Sequence, residues 1–501
     1  MYGKVSVVVY MKHYKFLEQI FAKIRNISGV VNELCKGMSS IPDCANKIRT
    51  LQEIRQELID SDVVTDALSS SLSNKGQLSD WEVANLHCMS RMHKNLRNIP
   101  SDLTSSLTIA RVNCKNAWMS FKESGGEPSD TKRCLADVVK LLSEIASIKS
   151  SDISVGGKYD VMLKMHDGDL DSKRIDEAFT DIGAFFRQFF GEVLEKQNSS
   201  KVHVAKSISC DKQKMLHDSL VPLICEGFAS ENNKKLEELG YCECGYSESW
   251  RVSCYEDDYR VGLRGALENA GYALYLHNLP KKQEDLPVGG FAGSVMYEAQ
   301  GQLMSSHILK DSRFLEFAVP ILKKLLSLRG KAAYISNIQL YLSQVKPDVL
   351  LRRSDEVSMI AHIMLRYALE KELINGDLDV NDLSDAWAQG MKYYFDTVPQ
   401  NDSEGFLQDG YWVSGIFGYL PSKLLGAIAA TQIFYAIQEQ RTDILGKISE
   451  GDFTDLAAWL RKYIYSHGGR YSSTMILKKI TGKRVDVDSY KNHLVSRYLS
   501  M

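Results

Sequence analysis

The chain has 501 residues, 44% hydrophobic and 25% charged, with 61 basic and 63 acidic residues and a formal net charge of −2. That balance excludes a disordered or collagen-like chain, and the absence of like-charge blocks excludes an electrostatic footprint for nucleic acid. With 10 Pro, long uninterrupted helices are expected, and the length suits two or three average domains or one large fold built round a groove.

Near the N-terminus the apolar run Val5 to Met11 is stopped by Lys12 and His13, with no small-residue cleavage site, so it does not read as a secretory signal. No run is long enough to span a bilayer. Ten cysteines, among them Cys35, Cys88, Cys134 and Cys210, have no regular spacing, and reduced thiols in a cytosol are expected. After Cys134, the residues Leu135, Val138, Val139, Leu142, Ile145 and Ala146 share one helical face. Cys242-x-Cys244, with Cys225 and Cys254 nearby, lacks the spacing of a structural zinc site and reads as free thiols. Trp250, Val252 and Cys254 alternate with Arg251 and Ser253, the best strand candidate in the chain.

A second helix is predicted from near Ser354, where Asp355 and Glu356 favour the positive end of its dipole. It carries Val357, Ile360, Ala361, Met364 and Ala368 inward and ends at Asn375 and Gly376, a pair suited to a left-handed C-cap. Another helix starts near Asn381. Loops are read at Gly125 to Ser129, Gly156 to Lys158, Lys281 to Gly290 and Pro399 to Gly405. No internal repeat is present, and one continuous domain over 1–501 is the simplest account.

The segment from Asp355 reads Asp-Glu-Val-Ser-Met-Ile-Ala-His, followed by Gly376-Asp377-Leu378, Ala386-Trp387, Leu407-Gln408-Asp409, Trp412 and Phe417-Gly418-Tyr419-Leu420-Pro421. That order and spacing closely resemble the C-terminal half of the Taq-type thermostable metallocarboxypeptidases, as does the closing Ile480-Thr481-Gly482-Lys483. The likeness divides the chain into a divergent helical region over 1–85, a collinear helical first half over 86–260 and a former catalytic half over 261–501. It implies an all-α, zincin-like fold of the neurolysin type, a large helical domain round a deep groove with at most a small β-sheet. A catalytic zinc, release of single residues from peptide C-termini and homodimers are implied in the same way, while the cytoplasmic setting rests on the cysteines.

The family's chemistry needs His-Glu-x-x-His on a helix, so that two imidazoles one turn apart reach one metal while the Glu activates its water. Here Ala273-Leu274-Tyr275 fixes the register, and the five positions read Glu268, Asn269, Ala270, Gly271 and Tyr272. Both imidazoles are replaced, and the amide of Asn269 cannot accept a proton at neutral pH. Glu298, in Tyr297-Glu298-Ala299-Gln300, stands at the third ligand position. A further groove histidine reads Tyr411, the arginine expected at 351 is Leu351, and a later tyrosine is Lys423, while Arg251, Asp355 and Tyr419 are kept. On a helix Arg352 would point about 100° away from position 351.

These changes predict that the former ligand positions Glu268, Tyr272 and Glu298 hold no metal and that Glu268, Asn269, Tyr272 and Tyr411 are catalytically silent. Arg251, Glu298, Asp355 and Tyr419 remain as groove residues for a peptide. The chain then reads as a metallocarboxypeptidase homologue without zinc or hydrolysis, with a peptide-binding or regulatory role. Its alternatives are a metal-dependent carboxypeptidase with unorthodox ligands and a structural subunit of an active paralogue. His277 and His307 lie near the relevant helices, but no two histidines have ligand spacing; His362 reads as a core residue, and Arg352 and Arg353 as a solvated or salt-bridged helix start rather than a substrate clamp. Glu268 and Glu298, two carboxylates without a divalent ion, should need Arg251 or another cation, a proton, or a turn toward solvent. That arrangement is expected to disfavour a peptide's C-terminal carboxylate.

Overall fold

Apolar residues at three and four spacing set nearly all of the architecture, which is 77% helical in a computed structural model describing residues 2–36, 43–124, 128–151, 156–199, 201–204, 207–227, 255 and 257–500. No strand occurs among the described residues, and the strand candidate Trp250–Cys254 lies outside them, as do Arg251, Cys242 and Cys244. No described helix is long and apolar enough to cross a membrane.

The first part of the chain runs through α1 (Tyr2–Lys36), α2 (Cys44–Asp60), α3 (Asp62–Ser73), α4 (Asp80–Leu96) and α5 (Ser101–Ser124). It continues through α6 (Ser129–Ser150), α7 (Lys158–His166), α8 (Ser172–Asn198) and α9 (Cys210–Glu226). Next come α10 (Tyr259–His277), α11 (Ser294–Gln302), α12 (Ser312–Leu326), α13 (Ile335–Leu342), α14 (Ser358–Asn375) and α15 (Leu383–Phe395). The chain closes with α16 (Pro421–Gln440), α17 (Ile444–Ser449), α18 (Thr454–Tyr463), α19 (Ser473–Thr481) and α20 (Val487–Leu499).

One apolar core runs from Ile99 to Tyr498, and Tyr14, Leu17, Phe21, Leu68, Leu86 and Met89 form a smaller cluster among the N-terminal helices. Helix α6 buries the six residues that its spacing marks, Leu135 to Ala146. By contrast α11, α14 and α16 are buried almost all round, which identifies them as central helices. Helix α14 ends as expected, with Gly376 at φ 89°. It begins at Ser358 rather than near Ser354, because the Asp355 carboxylate accepts from Val357 N and Ser358 N and so caps the helix from the preceding turn.

Two buried side chains fix the long connection between α15 and α16. Arg366 of α14 lies against both indoles of Trp387 and Trp412, which meet edge to face, and pairs with Asp409. Glu370, one turn on, accepts from Trp412 Nε1 at 2.7 Å, Gly418 N at 2.8 Å and Tyr159 Oη at 2.8 Å. Together they hold Tyr411 and Tyr419 over α11. Cys210 is disulfide-bonded, which departs from the expectation of reduced thiols; irregular cysteine spacing does not reveal a pairing that the fold makes. Cys35, Cys44, Cys88, Cys114, Cys134 and Cys225 are free.

Candidate functional site

Three helices meet at the former metal position, and glycines let them approach to backbone contact. A Cβ at Gly271 of α10 would lie 2.3 Å from the carbonyl oxygen of Gln300 in α11, and one at Gly426 of α16 would lie 2.5 Å from Glu298 Cβ. The spacing of Glu268 and Tyr272 puts both on one face of α10. Glu298 comes from α11, which runs directly into a buried π-helical turn, Leu303–Ile308. The expected convergence of Glu268, Tyr272 and Glu298 is therefore present.

What joins them is Lys423, in the first turn of α16. Its ammonium lies 2.5 Å from Glu268 Oε1 and 3.4 Å from Glu298 Oε2. The Tyr272 hydroxyl lies 2.6 Å from Glu298 Oε2 and 2.9 Å from Glu268 Oε1, so its single proton is shared between two carboxylates. Tyr419 donates to the other oxygen of Glu298, and Gln302 Nε2 donates to Glu268 at 3.2 Å. The counter-charge that two neighbouring carboxylates require is thus supplied by Lys423, and the expected repulsion is offset inside the site.

Electrostatics follow from this geometry. Burial pushes the Glu268 carboxyl up, but the Lys423 ammonium, Arg264 and the Tyr272 hydroxyl outweigh it and hold the group below its ordinary range. Burial alone would pull Lys423 down; the two carboxylates instead raise it above a free lysine. The phenols of Tyr272 and Tyr419 rise well above their usual value through burial and then through Coulomb repulsion from Glu298 and, for Tyr272, Glu268. At neutral pH the floor is a carboxylate and ammonium lattice closed by protonated phenols.

A cavity of about 290 Å³ opens above this floor, lined by Arg264, Asn269, Ser305, Ser306, Tyr411 and Met359 among others, with no histidine or cysteine among the described residues. Tyr411 stacks on Tyr419 with ring centres 6.0 Å apart, and Tyr272 on Tyr297 at 4.4 Å. Asp355 reaches the cavity, yet its carboxylate is committed to Lys346 N, Val357 N and Ser358 Oγ, so its role is capping. Leu351 is buried. Arg352 sits on a 3₁₀ turn, Leu351–Arg353, rather than an α-helix, and it lies at the cavity rim, against the expectation that it points away. Its guanidinium rests over Tyr255, 5.9 Å from the ring centre. Arg353 pairs with Asp257 and Asp348 as expected of a salt-bridged turn.

The histidines lie elsewhere. His362 is fully buried and hydrogen-bonds the Asp348 carbonyl at 2.9 Å, a core role. His307, Glu356 and His493 bring metal-type ligand atoms within 4.8 Å of one another in the interior, and His307 Nδ1 has no hydrogen-bond partner among the described residues. Glu356, however, already holds Lys310 at 2.8 Å and Arg497 at 3.0 Å on Oε2, and His493 at 3.1 Å on Oε1. A divalent ion there would meet two cations on the same carboxylate.

Fold and site together define a groove-bearing, all-helical protein of the metallopeptidase kind. The chain belongs to the carboxypeptidase Taq (M32) metallopeptidase family, whose profile matches residues 18–498. It is similar to thermostable carboxypeptidase 1 of Pyrococcus furiosus, at 25% identity over 426 residues and 84% of each chain. It is also similar to carboxypeptidase 1 of Bacillus subtilis, at 24% identity over 347 residues, 68% of this chain and 69% of that one. Among solved structures, Trypanosoma cruzi metallocarboxypeptidase 1 matches with a TM-score of 0.82 at 23% identity, covering 97% of this chain and 99% of its own. The M32 carboxypeptidase from Deinococcus radiodurans R1 gives 0.79 at 18% identity, with 98% and 99% covered. These structural likenesses carry the fold.

The residues at the former ligand positions do not fit the family's metal. Coordination there calls for deprotonated imidazoles and a free carboxylate. Here a carboxylate and a high-pKa phenol replace the imidazoles, and both carboxylates are held by an ammonium.

Proposed function

We propose that this chain is a non-hydrolytic member of its family, which takes no zinc at Glu268, Tyr272 and Glu298 and keeps the groove as a binding surface for peptides. The observation that carries the reading is Lys423 seated between the two carboxylates in a site without imidazole. Metallopeptidase hydrolysis at neutral pH depends on a metal that lowers the pKa of its water, and no side chain at this floor substitutes for it. The groove still offers Asn269, Ser305 and Ser306 as neutral hydrogen-bonding groups and Tyr411 and Met359 as apolar contact.

Two measurements test the reading. Incubated with a peptide mixture and added zinc or cobalt, the protein should release no C-terminal residues; chelator-sensitive release at an enzymatic rate refutes loss of hydrolysis. Calorimetric titration with free-acid and amidated forms of one peptide tests the ligand class. Leu351 fills the position of the expected arginine and Arg352 at the rim rests its guanidinium over Tyr255, so the free acid should gain nothing over the amide. A clear preference for the free acid would show that a carboxylate clamp survives.

A further inference from the structure

The ion pair at the floor is built like a coordination site. Glu268, Glu298 and Lys423 come from three different helices whose backbones touch at Gly271 and Gly426. The three side chains are 18%, 3% and 16% exposed, so little water competes for them. Lys423 approaches both carboxylates at once, Tyr272 and Tyr419 donate to the two oxygens of Glu298, and Gln302 donates to the Glu268 oxygen that Lys423 also meets. An ammonium has three donors and a flexible stem, which lets it sit where a small ion bound to two carboxylates would sit.

On the reading that the family's zinc is not used here, we propose that Lys423 is a tethered cation: it closes the Glu268–Glu298 pair in place of a metal ion, keeps α10, α11 and α16 in register, and bars divalent ions from the two carboxylates. Removing the ammonium leaves a cradle of oxygens from Glu268, Glu298, Tyr272 and Tyr419. Oxygen donors of this kind suit hard divalent ions such as Mn²⁺. The site thus holds a latent metal preference of a different class from the imidazole chemistry of the family.

The full-length protein and a Lys423→Met variant, similar in length but uncharged, are compared by Mn²⁺ electron paramagnetic resonance and by thermal unfolding with and without Mn²⁺. Wild type should bind no Mn²⁺ at this site and show no ion-dependent midpoint. Lys423→Met should unfold at lower temperature, bind Mn²⁺ at least about tenfold more tightly than wild type, and regain stability as the ion is added. Adding Glu298→Gln to Lys423→Met should abolish the binding. Should Lys423→Met not fold, the charge-balanced Lys423→Met/Glu268→Gln variant decides: recovery of most of the lost stability supports the tethered cation, and continued failure overturns it. Equal Mn²⁺ binding by wild type and Lys423→Met, or a Lys423→Met protein that takes no ion, also overturns it. Peptide release by wild type would count against the non-hydrolytic reading, whereas Mn²⁺ binding without hydrolysis would count against the tethered cation alone.

Discussion

Replacing Glu356 by Gln tests whether the buried network behind the groove is a structural keystone. The side chain is 1% exposed and receives Lys310, Arg497, Tyr498 and His493. Gln keeps the shape but removes the charge that offsets two buried cations, and breaking such a group from one side typically costs about 3–5 kcal/mol. An upper bound comes from Lys310, which burial already pulls down to about 8. In the folded protein it can therefore lose its proton at a cost of about 1.4 kcal/mol at pH 7 and at no cost at pH 9, so the Lys310 share of the penalty should be small and should vanish as pH rises. Arg497 has no such escape. Denaturant unfolding followed by far-ultraviolet circular dichroism at both pH values is the assay, with Glu356→Gln/Lys310→Met as the partner variant, expected to recover part of the loss. A Glu356→Gln protein within about 1 kcal/mol of wild type at pH 7 would refute the reasoning, since the two cations would then need no carboxylate.

Gly271→Ala should destabilise the protein by about 1–3 kcal/mol despite the better helix propensity of Ala, because the new methyl group meets the Gln300 carbonyl at 2.3 Å; a neutral result in denaturant titration would mean that α10 and α11 slide apart freely. His362 titrates near 3, pulled down by burial and then by the Arg366 charge, whereas the unfolded chain takes up that proton near 6.5. The folded base is depressed, so its stabilising contribution is present above pH 6.5 and is lost as pH falls toward 3. Between pH 7 and 5 it should account for about 2 kcal/mol of lost stability, an acid slope that a His362→Phe variant should lack when unfolding is measured at both pH values.

Local pattern carried much of this structure into the sequence. The inward face of α6, the Gly376 cap of α14 and the placement of Glu268 and Tyr272 one turn apart all depend on neighbours within a few residues, and each is legible from spacing alone. Sequence pattern starts α14 four residues early because Asp355 suits a helix start both as a first-turn acid and as a cap, and only its bonds from Val357 N and Ser358 N show which it is. Lys423 carried a faint signal, a basic residue where the family has a tyrosine. Its partners lie 155 and 125 residues away, a distance over which no periodicity acts. The same holds for Glu356, whose four partners are spread between Lys310 and Tyr498.

That separation also sets a schedule. A dissolved ion can reach its ligands as soon as they fold, but Lys423 exists only once the ribosome has added 155 residues after Glu268 and 125 after Glu298. At ~5–20 residues per second the nascent carboxylates wait roughly 6–30 s for their countercharge. Maturation of the floor is then timed by translation, and a chain truncated before Lys423 would carry two acids without their ammonium.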